Sequence, residues 1–275
     1  MQQFSAPDGA GVSYRDSGGA GPALLFVHGW QGDHSIWDPI VAQLRASFRC
    51  IAPDLRGFGA SSRAASPYTL EQYSEDLRAL VHFLQLQRVV VLGHSMGGKV
   101  AVRFALDAPD LVEALVLVAP VPLGPAGFSE KGVAYLRATA GNAPAAREWL
   151  AKTIMAPPSA EVLDRLCDVA SGACATAVAE ALDSWVVTDL SDEAKAVTAR
   201  ALVIGFQHDA PERVRDKAAA LLPNVRFEEV PDCAHYAVLE RPAPVAELIE
   251  AFIRAGPGNP ARGDAGAERA KIQPH

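Results

Sequence analysis

Positive charge is in short supply in this 275-residue chain: 25 lysines and arginines face 32 aspartates and glutamates, a formal net charge of −7. That balance excludes the basic stripe with which a protein meets nucleic-acid phosphates. Cysteine is sparse too. Cys50, Cys167, Cys174 and Cys233 are scattered, with no C-x-x-C pair and no cysteine–histidine ligand spacing. Neither a disulfide scaffold nor a metal site is expected; free thiols in a reducing compartment are the simpler reading, with a Cys167–Cys174 link the one pairing left open. No apolar run approaches the roughly 18 residues of a membrane-spanning helix. The opening residues, MQQFSAPDG, lack the basic and apolar regions of a secretory signal. A soluble cytoplasmic protein is expected.

Short apolar runs alternate with longer helical patterns along the chain. Ala23 to Val27, Phe48 to Ala52, Val89 to Leu92, Ala114 to Val118, Ala201 to Ile204 and Arg226 to Val230 read as strands. Most lack polar alternation, as expected of strands covered on both faces in a parallel sheet. Between them, Thr69 to Leu86 opens on a threonine cap with Gln72 three residues on, and Leu70, Tyr73, Leu77, Leu80, Val81 and Leu84 recur at helical spacing. Gly97 to Leu106 and Pro242 to Arg254 read as helices as well. The predicted class is α/β, a mostly parallel twisted sheet with helices on both faces.

Residues 121–197 are alanine-rich and helical in pattern, with no convincing strand run. They read as a helical cap or lid, inserted between two halves of a core at residues 1–120 and 198–254. Residues 255–275, rich in glycine, proline and alanine, are expected to be a disordered tail.

The most informative segment is Gly93-His94-Ser95-Met96-Gly97-Gly98, a G-x-S-x-G pattern directly after one strand and directly before a helix. A strand that reverses sharply into a helix strains its central residue and crowds the neighbours, which small glycines relieve. The serine hydroxyl is thereby lifted above the sheet, beside the positive end of the helix dipole. A glycine-rich turn whose serine merely caps the helix would use the same residues. The strand and helix on either side favour the nucleophile.

With His28-Gly29-Trp30-Gln31 after the first long strand and Asp54-Leu55-Arg56-Gly57-Phe58-Gly59-Ala60-Ser61 between, the chain resembles the α/β-hydrolase family over residues 10 to 254. The resemblance implies an α/β-hydrolase fold with Ser95 as nucleophile. It also implies an oxyanion hole made by the backbone N–H groups of Trp30 and Met96. His28 is expected to hold its loop in shape and His94 to be a packing or hydrogen-bonding neighbour. Asp54, Arg56, Gly57 and Gly59 are expected to form a surface turn in which carboxylate and guanidinium pair locally.

Family order is nucleophile, acid, histidine. The resemblance places the acid a few residues beyond the strand 201–204, at Asp209, with Glu212 a nearby competitor. The loop after Val118 offers no carboxylate before Glu130, which weakens the other location some members use. The base is expected at His235, in Pro231-Asp232-Cys233-Ala234-His235, ahead of the proline-led final helix. No cofactor is implied. A serine rather than an aspartate at the elbow speaks against halide displacement and epoxide opening.

Phe128, Tyr135, Trp149 and Trp185 of the insertion, with Trp30, Met96 and Tyr236, are candidates to line an apolar pocket, although ordinary helix packing would also use such residues. The expected reaction is hydrolysis of a carboxylic ester or lactone of a small to medium, largely apolar molecule. Carbon–carbon bond hydrolysis, perhydrolysis and cofactor-free oxygenation use the same machinery, and a hydrolase-fold ligand receptor is the alternative from another class.

Overall fold

In the computed structural model, described for residues 1–63, 67–157, 159–206 and 221–256, eight strands form a single sheet. The strands are β1 (Gln2–Ser5), β2 (Gly11–Asp16), β3 (Ala23–Val27), β4 (Arg49–Pro53), β5 (Val89–His94), β6 (Val112–Val118), β7 (Arg200–Phe206) and β8 (Val225–Val230). Their order is β1-β2-β4-β3-β5-β6-β7-β8. β1 and β2 pair antiparallel, as do β2 and β4, and every pairing from β4 across to β8 is parallel.

The central strands show why the apolar runs are unbroken. Leu25, Val27, Val91, Leu115, Leu117 and Val203 point into one buried cluster. Their alternate neighbours Leu24, Phe26, Val90, Leu92, Val116, Leu202 and Ile204 point into the other. With a side-chain period of two, both faces must be apolar when helices cover both. On the first face lie α2 (Leu70–Phe83) and α3 (Met96–Asp107), and on the second α1 (Asp38–Leu44) and the last helix, α9 (Pro242–Ala255). A short α8 (Ala237–Glu240) precedes α9.

Local signals set the helix ends. Thr69 accepts a hydrogen bond from the Gln72 backbone at the start of α2, and Pro242 stands in the first turn of α9. Between β6 and β7 the chain makes α4 (Glu130–Arg137), α5 (Ala143–Ala151), α6 (Ala160–Ser171) and α7 (Ala175–Val187), with no strand among the described residues there. No described helix is long and apolar enough to cross a membrane. All four cysteines are free thiols. Of residues 255–275, expected to form a disordered tail, Ala255 instead ends α9 and Gly256 caps it, and residues 257–275 lie outside the described residues.

Two expectations need correction. The hairpin β1–β2 has no counterpart among the predicted strands, because an edge hairpin with one solvent face breaks its apolar run with polar residues such as Gln3, Ser5 and Arg15. The segment after β4 is not a surface turn: Asp54 and Arg56 are both fully buried, and they do not pair with each other. Arg56 is bound through two nitrogens to Asp76 on α2, each contact 2.6 Å, and to Asp8 at 2.8 Å. Asp54 accepts from the His34 ring and backbone, both at 2.7 Å, and from the Ala60 backbone at 2.8 Å. Charges this deep require partners, and here those partners come from distant parts of the chain.

Candidate active site

Ser95 stands between the end of β5 and the start of α3 with φ 55° and ψ −121°, a conformation that costs a non-glycine residue roughly 1–3 kcal/mol. The surrounding structure enforces it. Its N–H donates to the Val118 carbonyl at 3.0 Å, and its own carbonyl accepts from Gly98 at 2.9 Å and Val121 at 3.2 Å. A Cβ on Gly93 would lie 2.3 Å from the Gly97 carbonyl oxygen, so the chain can double back this tightly only with hydrogen there.

His235 reaches the same point from the loop after β8. The Ser95 hydroxyl donates to its Nε2 at 2.9 Å. The base loop is held on several sides. The His235 N–H donates to the Thr153 carbonyl of the insertion at 3.0 Å, and its carbonyl accepts from His94 Nε2 at 2.8 Å. The Glu240 carboxylate accepts from Ala234 N at 3.0 Å with one oxygen and from Met155 N at 2.6 Å with the other. The sequence signal singled out neither Glu240 nor Thr153. A helical glutamate and a loop threonine carry no pattern that reveals backbone partners so far along the chain.

His28 and His94 are both spent on the scaffold. The Leu55 N–H donates to His28 Nε2 at 2.9 Å, so Nδ1 carries the proton and donates to the Gly29 carbonyl at 2.8 Å. Burial holds this imidazole below its ordinary pKa, consistent with a neutral ring. His94 packs on the rings of His235 and Tyr236, with centroids 4.9 and 5.0 Å away.

Met96 follows Ser95 in the chain, and the residue before Trp30 lies close by: a Cβ on Gly29 would stand 3.0 Å from the Ser95 Cβ. Among the described residues neither the Trp30 nor the Met96 backbone N–H makes a hydrogen bond. The Trp30 side chain is anchored elsewhere: its Nε1 donates to the Val178 carbonyl of α7 at 2.8 Å, and Trp185 packs edge-on at 6.3 Å. Trp30, Met96, Trp185 and Tyr236 are all buried. The other pocket candidates lie further out. Phe128 is 45% exposed beside Trp185, and Tyr135, 38% exposed, bonds Glu148 and Lys152. Trp149 is half-buried and packs against both core clusters. Asp209, expected as the acid, and its competitor Glu212 lie outside the described residues.

One grouping among the described residues has donors close enough for a metal: Asp33, His34 and Asp54, all within 4.8 Å. Its oxygens already serve the loop, with Asp33 accepting from Ser35 N at 2.8 Å and Asp54 from His34 and Ala60. Burial pushes the Asp54 carboxyl up, but the His34 hydrogen bond, the nearby His28 ring and the two backbone donors outweigh it, leaving a net downward shift.

Known proteins share this fold. The model of the alpha/beta hydrolase family matches residues 24–248. A putative non-heme chloroperoxidase of Synechocystis is 29% identical over 245 residues, 81% of this chain and 87% of that one. A thermophilic esterase of Thermogutta terrifontis superposes with TM-score 0.82 at 27% identity, covering 93% of this chain and 99% of the other. The enol-lactonase of Burkholderia xenovorans gives TM-score 0.84 at 26% identity, covering 92% and 100%. Several curated relatives match over only part of themselves, this chain spanning between 34% and 36% of their length.

Proposed function

The chain belongs to the alpha/beta hydrolase family, and on that premise we propose that it hydrolyses carboxylic esters or lactones through an acyl-enzyme on Ser95. One observation carries the reading: a strained, helix-initiating serine whose hydroxyl lies 2.9 Å from an imidazole nitrogen delivered by a separate loop.

As Ser95 Oγ attacks the carbonyl carbon, its proton passes to His235 Nε2. The carbonyl oxygen takes up the electron pair and is met by the Trp30 and Met96 N–H groups, donors that need no reorganisation. When the intermediate collapses, the carbon–oxygen bond to the leaving alcohol breaks and His235 returns its proton to that oxygen. Water, deprotonated by His235, then releases the acid and restores Ser95. Asp209 is proposed as the carboxylate that steadies the imidazolium, because it follows the end of β7 by three residues. Residues 121–197 are proposed as a cap over a core formed by 1–120 and 198–254. The apolar rings of Trp30, Trp185 and Tyr236 favour a largely apolar substrate. A full-length relative named as an enol-lactonase supports keeping lactones in the substrate class.

The test is labelling by a fluorophosphonate and turnover of short and medium p-nitrophenyl esters, in wild type and Ser95→Ala. Loss of both in the variant is expected. Turnover that survives in Ser95→Ala overturns the reading. Labelling without ester turnover would leave the nucleophile standing and redirect the search to lactones and β-diketones.

A further inference from the structure

The helix that begins at the nucleophile carries a charged residue which the reaction above does not use. Lys99 is the fourth residue of α3 and is fully buried. Its ammonium donates to three backbone carbonyls: Gly124 at 2.9 Å, Trp185 at 3.0 Å and Thr188 at 2.5 Å. An ammonium has three N–H bonds, and each finds an acceptor. All three acceptors lie in the insertion between β6 and β7. Trp185 and Thr188 stand at the carboxyl end of α7, where carbonyls lack intrahelical partners and the helix dipole is negative.

Among the described residues no carboxylate accepts from this ammonium. Asp189, just beyond α7, is the charged group facing it and is bound to Ser191, while Arg103 one turn along α3 is committed to Asp107 and Glu193. Burying a cation with no carboxylate bonded to it is costly, and an apolar side chain would fill this volume without that cost. What the ammonium supplies is a directional bond between the nucleophile helix and α7. At its other end α7 holds the Trp30 side chain through the Val178 carbonyl, and between the two anchors Trp185 packs on Trp30. The one helix is thus fixed to both the Ser95 side and the Trp30 side of the site.

We propose that Lys99 is a positioning residue for substrate selection: by pinning the end of α7 to α3 it sets Trp185 against Trp30, and with it the apolar surface these two rings offer a substrate. This rests on the serine-hydrolase reading. It invokes no proton transfer to or from Lys99.

The test compares wild type, Lys99→Met and Lys99→Gln, as full-length chains, on p-nitrophenyl acetate and p-nitrophenyl octanoate, with fluorophosphonate labelling of Ser95 alongside. In Lys99→Met, KM for octanoate is expected to rise roughly tenfold while kcat for both esters falls by one smaller, common factor. Lys99→Gln, which keeps two N–H donors, should fall between the two. An equal loss on both esters through kcat alone, or no change, overturns the inference while leaving Ser95 labelling and the serine-hydrolase reading intact. A wild type that takes no label fails that reading first, and this one with it. Should neither variant fold, hydrogen exchange on wild type decides: amides 179–187 should exchange as slowly as those of α3, and exchange tenfold faster overturns the clamp.

Discussion

Replacing Gly97 with alanine tests the elbow and the oxyanion hole together, because it sets two opposing rules of helix chemistry against each other. Gly97 is the second residue of α3, and alanine is favoured over glycine within a helix by about 1 kcal/mol. On propensity alone Gly97→Ala should stabilise. The added methyl, however, would sit 2.4 Å from the Val27 carbonyl oxygen and 2.5 Å from that of His28, where ordinary contact begins at 3.4 Å. The start of α3 and the end of β3 must therefore part by about 1 Å. They have little freedom to do so, since β3 and β5 are paired from Leu24 with Val90 through Val27 with Gly93. The segment pushed away leads into Trp30, and the one doing the pushing carries Met96, so the two proposed oxyanion donors separate. Overpacking should cost about 1–3 kcal/mol of stability. Misplacing the reacting groups by about 1 Å should lower kcat/KM roughly 100-fold. Gly98→Ala is the milder comparison: its one contact under 3.0 Å is Pro120 Cβ at 2.9 Å, short by less than the two backbone oxygens at Gly97, and its effect should be the smaller. Urea unfolding measures the first quantity and p-nitrophenyl ester hydrolysis the second. A Gly97→Ala protein within fivefold of wild type, or a Gly98→Ala protein equally impaired, would refute the reasoning.

The buried charges of the segment after β4 supply two more predictions. Asp76→Ala leaves the guanidinium of Arg56, whose side chain is fully buried, with Asp8 as its remaining partner, so urea unfolding should show a loss of about 3–5 kcal/mol; a loss below 1 kcal/mol would mean that the pair contributes little. Asp54→Asn should cost about 1–3 kcal/mol at pH 7 by weakening the His34 and Ala60 contacts. Because burial of the Asp54 carboxyl is outweighed by the His34 hydrogen bond and the backbone donors, its folded pKa lies below the ordinary one; its contribution is present above the unfolded pKa and is lost as pH falls through the folded pKa. The gap between variant and wild type should narrow in acid, and a gap independent of pH would contradict the assignment.

What the sequence could and could not disclose follows from how far each feature's partners lie along the chain. β3, β5, β6 and β7 are legible because a strand covered on both faces needs no partner to be named: its run is apolar throughout. Ser95 is legible because it follows directly on the end of β5, and His235 because it lies in the loop that leaves β8, five residues past Val230; a strand end is itself a local signal. Asp54 and Arg56 sit in an equally recognisable motif, yet their burial depends on Asp8, His34 and Asp76, and no local rule connects those positions. Lys99 and Glu240 are illegible for the same reason, since each binds backbone atoms of the insertion. Asp209 is a harder case, because its assignment rests on order alone: it follows Phe206, the last residue of β7, by three positions, with Glu212 three further on. The location beyond β6 is weakened as an alternative, as the residues there are Ala119, Pro120 and Val121 and the next carboxylate is Glu130. A carboxylate that fixes the tautomer of His235 and stabilises its charged form acts only through the imidazole. Its amide replacement should therefore spare ground-state binding and depress kcat, by as much as about 10⁴-fold. Asp209→Asn should show that loss with KM nearly unchanged, and Glu212→Gln should stay within about threefold of wild type. The reverse pattern would move the role to Glu212. If both variants retain wild-type kcat, neither residue steadies the base, and His235 does its work without a carboxylate from this segment.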